Sequence, residues 1–228
     1  MLEVAELRER LDSLRAEIAR QEGLRGLSAG PVRLLPVTKG QGPEAAQAAV
    51  ALDLCELGEN YVQECAAKQL VLSAAGAQIQ WHMLGHLQRN KARQAAELFH
   101  VVETVDSLAV AQALSRARQA GEPLPVLCEV ELTGIPGRRG YAPALLRREL
   151  TEICALPGLE VRGLMTVAAR DEPVRCFEAC RKLRDELVQL SGCELPELSM
   201  GMSEDFSAAI SAGSTEVRVG RLLFGPRA

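Results

Sequence analysis

The feature that most constrains this chain is an alternation of short apolar runs of β type with stretches of helical period. The runs are Arg33–Val37, Asp53–Leu57, Gln80–Leu84, His100–Glu103, Val126–Glu131, Glu160–Met165, Glu197–Met200 and Glu216–Val219. Helical stretches follow them at Glu44–Ala51, Tyr61–Ala75, Asn90–Leu98, Ser107–Ala120, Pro143–Ala155, Pro173–Leu190, Glu204–Ala212 and from Arg221 onward. Strands separated by helices pair in parallel, because a parallel pair needs a crossover long enough to hold a helix. Ahead of the first run, Val4, Leu7, Leu11, Leu14 and Ile18 recur at spacings of three and four between charged residues. That pattern predicts an extra amphipathic helix of about five turns, ended by Gly23 and Gly26. Asp106 is placed to cap the helix after the fourth strand, and Pro143 and Pro173 sit at first-turn positions. The expectation is a single α/β domain over residues 1–228, a (β/α)8 barrel of the TIM type with an N-terminal helix. An open doubly wound sheet is the competing arrangement. The 228 residues suffice, since such barrels take roughly 250.

Composition excludes several classes of function. Aromatic residues make up 3% and the formal charge is −4, so the chain lacks both the stacking platforms and the basic field of a nucleic-acid binder. Arg138–Arg139 and Arg147–Arg148 read as solvated faces. No run of 18 apolar residues spans a membrane, and the charged N-terminus is no signal peptide. Seven cysteines without Cys-x-x-Cys spacing fit reduced thiols and a cytoplasmic location.

In a barrel, function gathers on the loops leaving the C-terminal ends of the strands. Lys39 follows the first run directly. It reads either as a solvated loop lysine or as an amine desolvated by the barrel mouth and thereby made nucleophilic. After the second run, Glu59 and Asn60 offer polar contacts, with a helix N-cap by Asn60 as the alternative. His82 and His86 lie four apart but lack a third ligand at metalloprotease spacing, so His82 reads as a hydrogen-bonded interior residue and no metal is expected. Thr166 falls at the end of the sixth run. Ser203 opens one helix and Gly220–Arg221 another, and two helix N-termini in the loops after strands seven and eight suit a phosphate. Arg218 interrupts the apolar pattern of the last strand and points opposite to Val217 and Val219. Inside a barrel its guanidinium needs a partner, and an acceptor ring nitrogen would serve.

The segments GENYVQE, WHMLGHLQRNK, GLMTV, LSMGMSEDFSAAISAGSTEVRVG and LLFG together resemble the pyridoxal phosphate homeostasis proteins, whose barrel is similar to the N-terminal domain of alanine racemase. The resemblance covers essentially the whole chain. It implies that Lys39 holds pyridoxal 5'-phosphate as a Schiff base and that Arg218 faces the pyridine nitrogen. It further implies a phosphate cradle of Ser203, Gly220 and the Arg221 backbone, aided by Ser214 and Thr215, with Asn60 and Met202 near the cofactor. Two places depart from the family pattern. Pro36-Val37-Thr38-Lys39-Gly40 lacks the neighbouring second lysine, and the segment ELTGIPGRRGYAP replaces an acidic one followed by Lys-Ser-Gly.

An arginine opposite the pyridine nitrogen leaves that nitrogen unprotonated and a poor electron sink. Racemases of similar fold add a second base from another domain, and this chain is expected to have none. The resemblance therefore implies a carrier or regulator in pyridoxal phosphate homeostasis and amino-acid balance, with no turnover of its own. Its expected partners are the cofactor and pyridoxal-phosphate-dependent apoenzymes, with no nucleic acid or membrane, and its expected state is a monomer or weak dimer. An amino-acid racemase or lyase using the same lysine is the rival reading. A cofactor-free Schiff-base aldolase or a pure scaffold leaves the phosphate loops and Arg218 unexplained.

Overall fold

The computed structural model describes residues 4–25, 30–118 and 121–226. Eight parallel strands form one sheet, β1 (Arg33–Pro36), β2 (Glu56–Glu59), β3 (Gln80–Met83), β4 (Val101–Val105), β5 (Leu124–Glu129), β6 (Leu159–Met165), β7 (Glu197–Ser199) and β8 (Glu216–Val219). Each strand pairs with its sequence neighbour, and β8 pairs with β1 from Arg33↔Glu216 to Pro36↔Val219. The circle closes between β1 and β2 through one bridge, Val37↔Gly58, with the Thr38 N–H donating to Gly58 O at 3.0 Å. The sheet is thus a closed parallel barrel of the TIM type, with a thin seam beside Lys39.

Helices α2 (Pro43–Val50), α3 (Val62–Ala74), α4 (Ala92–Leu98), α5 (Leu108–Ala117), α6 (Pro143–Cys154), α7 (Pro173–Ser191), α8 (Phe206–Ser211) and α9 (Arg221–Phe224) cover the outside; numbered in chain order, α1 is the N-terminal helix Val4–Arg25. The apolar stripe of α1, Leu7, Leu11, Leu14 and Ile18, is buried and α1 packs on α8, α9 and α2. Burying side chains of this size contributes about 1.5–3 kcal/mol each. Between the sheet and the helices, outward-pointing Leu57, Trp81, Val102, Leu198, Val217 and Val219 share one apolar core with the helix faces.

Local chemistry moves several boundaries from their sequence positions. Gly23 lies inside α1; Gly26 falls outside the described residues. The second strand begins at Glu56, not Asp53, because Asp53 takes φ 60° in a turn, a left-handed conformation that a strand cannot hold. Ser107, not Asp106, caps α5, accepting from the Val110 N–H. Tyr61 stands at the N-terminus of α3 without a side-chain cap, so Asn60 is released from that role. Pro143 and Pro173 do open their helices. No described helix is long and apolar enough to cross a membrane.

Candidate functional site

A cavity of about 760 Å³ opens at the C-terminal ends of the strands, within the range of roughly 300–1,000 Å³ for small-molecule sites. Lys39, Asn60, Met202, Ser203, Arg218, Gly220 and Arg221 all line it. They come from the ends of β1, β2, β7 and β8, and the barrel places these chain-distant loops side by side.

Each side chain is set by its local backbone. Lys39 is half-buried in the turn that follows β1. Asn60 follows β2 directly, and Gly85 of the next loop packs on its backbone so closely that a Cβ there would lie 2.0 Å from Asn60 O. The Asn60 Oδ1 is buried with no hydrogen-bond partner among the described residues. Such an orphaned acceptor costs about 1–3 kcal/mol unless something in the cavity satisfies it. Gly220 passes close to β1, and a Cβ on it would sit 2.9 Å from Val37 O. As first positions of α9, Gly220 and Arg221 present N–H groups with no intrahelical acceptor. Their neighbour Leu222 points its N–H toward Ser203 Oγ, at 3.5 Å. The Arg221 side chain pairs with Glu204, and both residues line the cavity.

Arg218 is buried, and its inward register beside Leu35 and Glu216 follows from the β8 alternation. Nη1 donates to Ser199 Oγ at 2.7 Å and Nη2 to Thr166 O at 2.8 Å. The Thr166 hydroxyl, in turn, donates to Val130 O and is not open to the cavity. Burial pushes the Glu129 carboxyl, at the end of β5, up to about 7. Asp205 is also raised by burial, although it accepts the Met202 N–H at 2.6 Å. Helix α8 starts at Phe206 with Asp205 at its N-terminus, so Ser203 does not cap it.

Below the cavity the interior holds an ionic network, with Glu56 Oε2 as its one buried side-chain atom that lacks a hydrogen bond among the described residues. His82 Nδ1 lies 2.8 Å from Glu103 Oε1, Ser199 Oγ lies 2.6 and 2.9 Å from Glu103 Oε2 and Glu216 Oε1, and Arg33 meets Glu216 and Glu197 at 2.7 and 3.1 Å. Burial by itself would lower His82, but its hydrogen bond to Glu103 and its approach to Glu56 outweigh it and raise the imidazole to about 10. Burial followed by repulsion from Glu103 raises Glu216 to about 7. His82, Glu103 and Glu216 also bring ligand-type atoms within 4.8 Å of one another, but Arg33 and Arg218 already supply the cations there.

Two sequence-predicted residues are not at the mouth. Ser214 and Thr215 precede β8, at the opposite end of the barrel. The buried Ser214 hydroxyl faces the Leu198, Met200 and Glu216 carbonyls, and Thr215 Oγ1 accepts the Leu198 N–H at 2.7 Å. Conversely, Arg138 was read as solvated surface and in fact lines the cavity, its Nη1 donating to Val167 O and Ala168 O at 3.0 and 3.1 Å. Arg139 beside it donates to His86 Nε2 at 3.0 Å, and His86 Nδ1 meets Asp106. Nothing in the loop's composition separates these two arginines; only the fold does.

A closed parallel barrel whose mouth gathers a lysine, a buried arginine and a phosphate-suited helix turn defines the class of lysine-bearing α/β-barrel binding proteins. Residues 10–228 match the family model for the alanine racemase N-terminal domain. The chain is 39% identical over 221 residues to a pyridoxal phosphate homeostasis protein of Pseudomonas aeruginosa, covering 96% of this chain and 95% of the relative. It is 37% identical over 210 residues to the protein so named in Escherichia coli K12, covering 89% and 88%. This chain belongs to the alanine racemase N-terminal-domain family and, within it, to the pyridoxal phosphate homeostasis proteins. PipY of Synechococcus elongatus PCC7942, solved with pyridoxal phosphate bound, superimposes with a TM-score of 0.85 at 37% identity, over 96% of this chain and 100% of PipY. An alanine racemase of Clostridium difficile 630 shares the fold at 18% identity and TM-score 0.70, with 57% of its length covered.

Proposed function

We propose that this protein holds pyridoxal 5'-phosphate at the barrel mouth as a Schiff base on Lys39 and serves intracellular cofactor homeostasis without turning over a substrate. The orphaned, buried Asn60 Oδ1 in a cavity that already contains Lys39 and Arg218 carries this reading, because the wall is complete only with a polar ligand present. The residues fit the group. Lys39 supplies the amine for the aldehyde, Arg218 a fixed guanidinium for the ring nitrogen, and Ser203 with the Gly220 and Arg221 N–H groups a cradle for the phosphate. When bound, the cofactor supplies a reactive aldehyde and an electron-withdrawing ring.

The chain's own groups favour retention over reaction. Arg218 stays protonated and is held by Ser199 and Thr166, so it gives the ring nitrogen no proton. The nearest carboxylates, Asp205 and Glu204, are engaged by Met202 and Arg221. The homeostasis proteins and PipY with its bound cofactor support the same reading by kinship. Apoenzymes that depend on the cofactor are the proposed recipients, the cytoplasm the proposed location, and a monomer or weak dimer the proposed state.

Purified protein mixed with pyridoxal phosphate should show the visible absorbance of an imine, and Lys39→Ala should abolish it. A wild type that stays colourless would sink the reading. Incubation of the loaded protein with amino acids in deuterated water should give no catalytic exchange at Cα, whereas rapid exchange would point to a racemase or lyase.

A further inference from the structure

The GENYVQE segment contributes Asn60 to the cavity, but its charged residues lie elsewhere. Glu59 and Lys68 are both buried, at 0% and 2% exposure, and they form an ion pair between the sheet and α3. A buried pair of this kind is no more stabilising than apolar side chains of the same shape. What it does supply is direction, and here every direction leads to the turn that carries Lys39. Lys68 Nζ donates to Thr38 O at 2.7 Å. The Thr38 hydroxyl donates to Glu59 Oε1 at 2.5 Å. On the other side of Lys39, the Gly40 N–H donates to Glu64 Oε1 at 2.6 Å. Glu64 and Lys68 share a face of α3 at i,i+4 and lie 3.4 Å apart.

The sheet itself gives this turn little support. β1 and β2 meet through a single bridge, and the Thr38 N–H bond to Gly58 O is the last ladder contact before Lys39. The charged cluster replaces the missing ladder, gripping the peptide on both sides of the lysine.

We infer that Lys68, paired with Glu59 and seconded by Glu64, is a positioning residue that fixes the Lys39 backbone so that its amine meets the cofactor aldehyde. This rests on the cofactor reading above. Lys68 acts through the Thr38 carbonyl and touches no ligand in this arrangement. Its removal should therefore slow bond formation more than it weakens non-covalent binding. Misplacement by about 1 Å can cost on the order of 100-fold in rate, so a partly relaxed turn should cost roughly tenfold.

The test compares two probes on the full-length protein. Pyridoxal phosphate reports the rate of imine formation by absorbance, and pyridoxine 5'-phosphate, which has no aldehyde, reports non-covalent affinity by calorimetry. In Lys68→Met the imine rate should fall roughly tenfold while pyridoxine phosphate affinity stays within about twofold. Glu64→Ala, at a half-exposed position, should show a smaller loss of the same kind, and it decides the matter alone should Lys68→Met fail to fold. Wild-type imine rates in these variants overturn the inference, and so does a parallel loss with both probes, which marks a merely structural role. A wild type that forms no imine would instead overturn the cofactor reading itself.

Discussion

The two halves of the barrel interior use the same residue types to opposite ends. In the lower half, His82, Glu103, Ser199, Glu216 and Arg33 are hydrogen-bonded to one another, so charge is met by charge within the chain. In the upper half the polar groups face a cavity, and one of them, Asn60 Oδ1, has no protein partner. Arg218 stands on the boundary, anchored from below through Ser199 and lining the cavity above. The comparison teaches that polar burial alone does not mark a binding site in this fold. What marks the site is an unpartnered acceptor that also lines a cavity, since Glu56 Oε2 in the lower half and Glu59 Oε2 likewise lack hydrogen bonds but do not line it. This is in keeping with the general division of such barrels into a functional top and a stabilising bottom.

The largest effect should come from breaking the lower network. Glu103→Ala leaves the buried His82 imidazolium without its closest carboxylate, and breaking a buried pair on one side costs about 3–5 kcal/mol. Chemical denaturation should show that loss, while the folded fraction still binds pyridoxal phosphate. Equal damage to binding would mean that the two halves are not separable. Next in size is Arg218→Met, which removes the guanidinium from the cavity and should weaken pyridoxal phosphate roughly 10- to 100-fold, since hydrogen bonds from charged groups contribute about 1.5–3 kcal/mol. Equilibrium titration followed by absorbance measures it.

The lower network also sets a pH dependence with a definite sign. Folding raises His82 from 6.5 to about 10, so its contribution is complete below about 6.5 and is lost as the pH rises through about 10. Glu216 is raised from 4.5 to about 7. As an acid whose folded form keeps its proton, it likewise favours the folded state at low pH and loses that advantage as the pH rises through about 7. Glu103 is lowered and opposes both only on the acid side. Melting temperature should therefore decline from pH 7 to 8.5, by on the order of a few °C, and His82→Gln should flatten that limb. This window lies below the range where the buried thiols of Cys65, Cys128, Cys154 and Cys180 add their own losses. A wild-type profile that rises over this range would contradict the assignment.

Much of this was legible in the sequence because the barrel repeats a strong local signal. Alternating apolar strands and periodic helices mark all eight strands, and parity along β8 sets Arg218 opposite to Val217 and Val219, with the closed barrel deciding that this side is the interior. The errors have physical causes. Asp53 was placed in a strand because its left-handed turn leaves no mark in composition. Asp106 and Ser203 carry capping chemistry, yet Ser107 and Asp205 stand at those helix starts, a shift of one or two residues that only backbone geometry decides. Lys68 and Glu59 were invisible as a pair, since nine residues of sequence separation says nothing of how β2 and α3 pack. Arg138 was missed for the opposite reason, because a basic pair in a long loop looks like surface until the loop is seen folded over the mouth.

The smallest prediction concerns Ser214 and Thr215, where a phosphate-binding expectation and the fold disagree most directly. The family resemblance implies that their hydroxyls help to bind the phosphate. The strand direction overrules this, because β8 begins after them and the cavity lies at its far end. Their hydroxyls hold β7 and β8 together where the ladder between those strands is short, with Ser199↔Glu216 as its one registered pair. Ser214→Ala should therefore lower stability by about 1 kcal/mol, the usual size of one lost hydrogen bond, and leave pyridoxal phosphate affinity within about twofold. Ser203→Ala, one loop earlier, should do the reverse, weakening the cofactor by several-fold with little change in melting, as expected for about one hydrogen bond made to the ligand by a hydroxyl whose contact with the chain, the Leu222 N–H, is long at 3.5 Å. Titration and thermal melts on the two single variants separate the outcomes. A Ser214→Ala protein that melts normally but loses the cofactor would place the phosphate at the wrong end of the barrel and break the division between its halves.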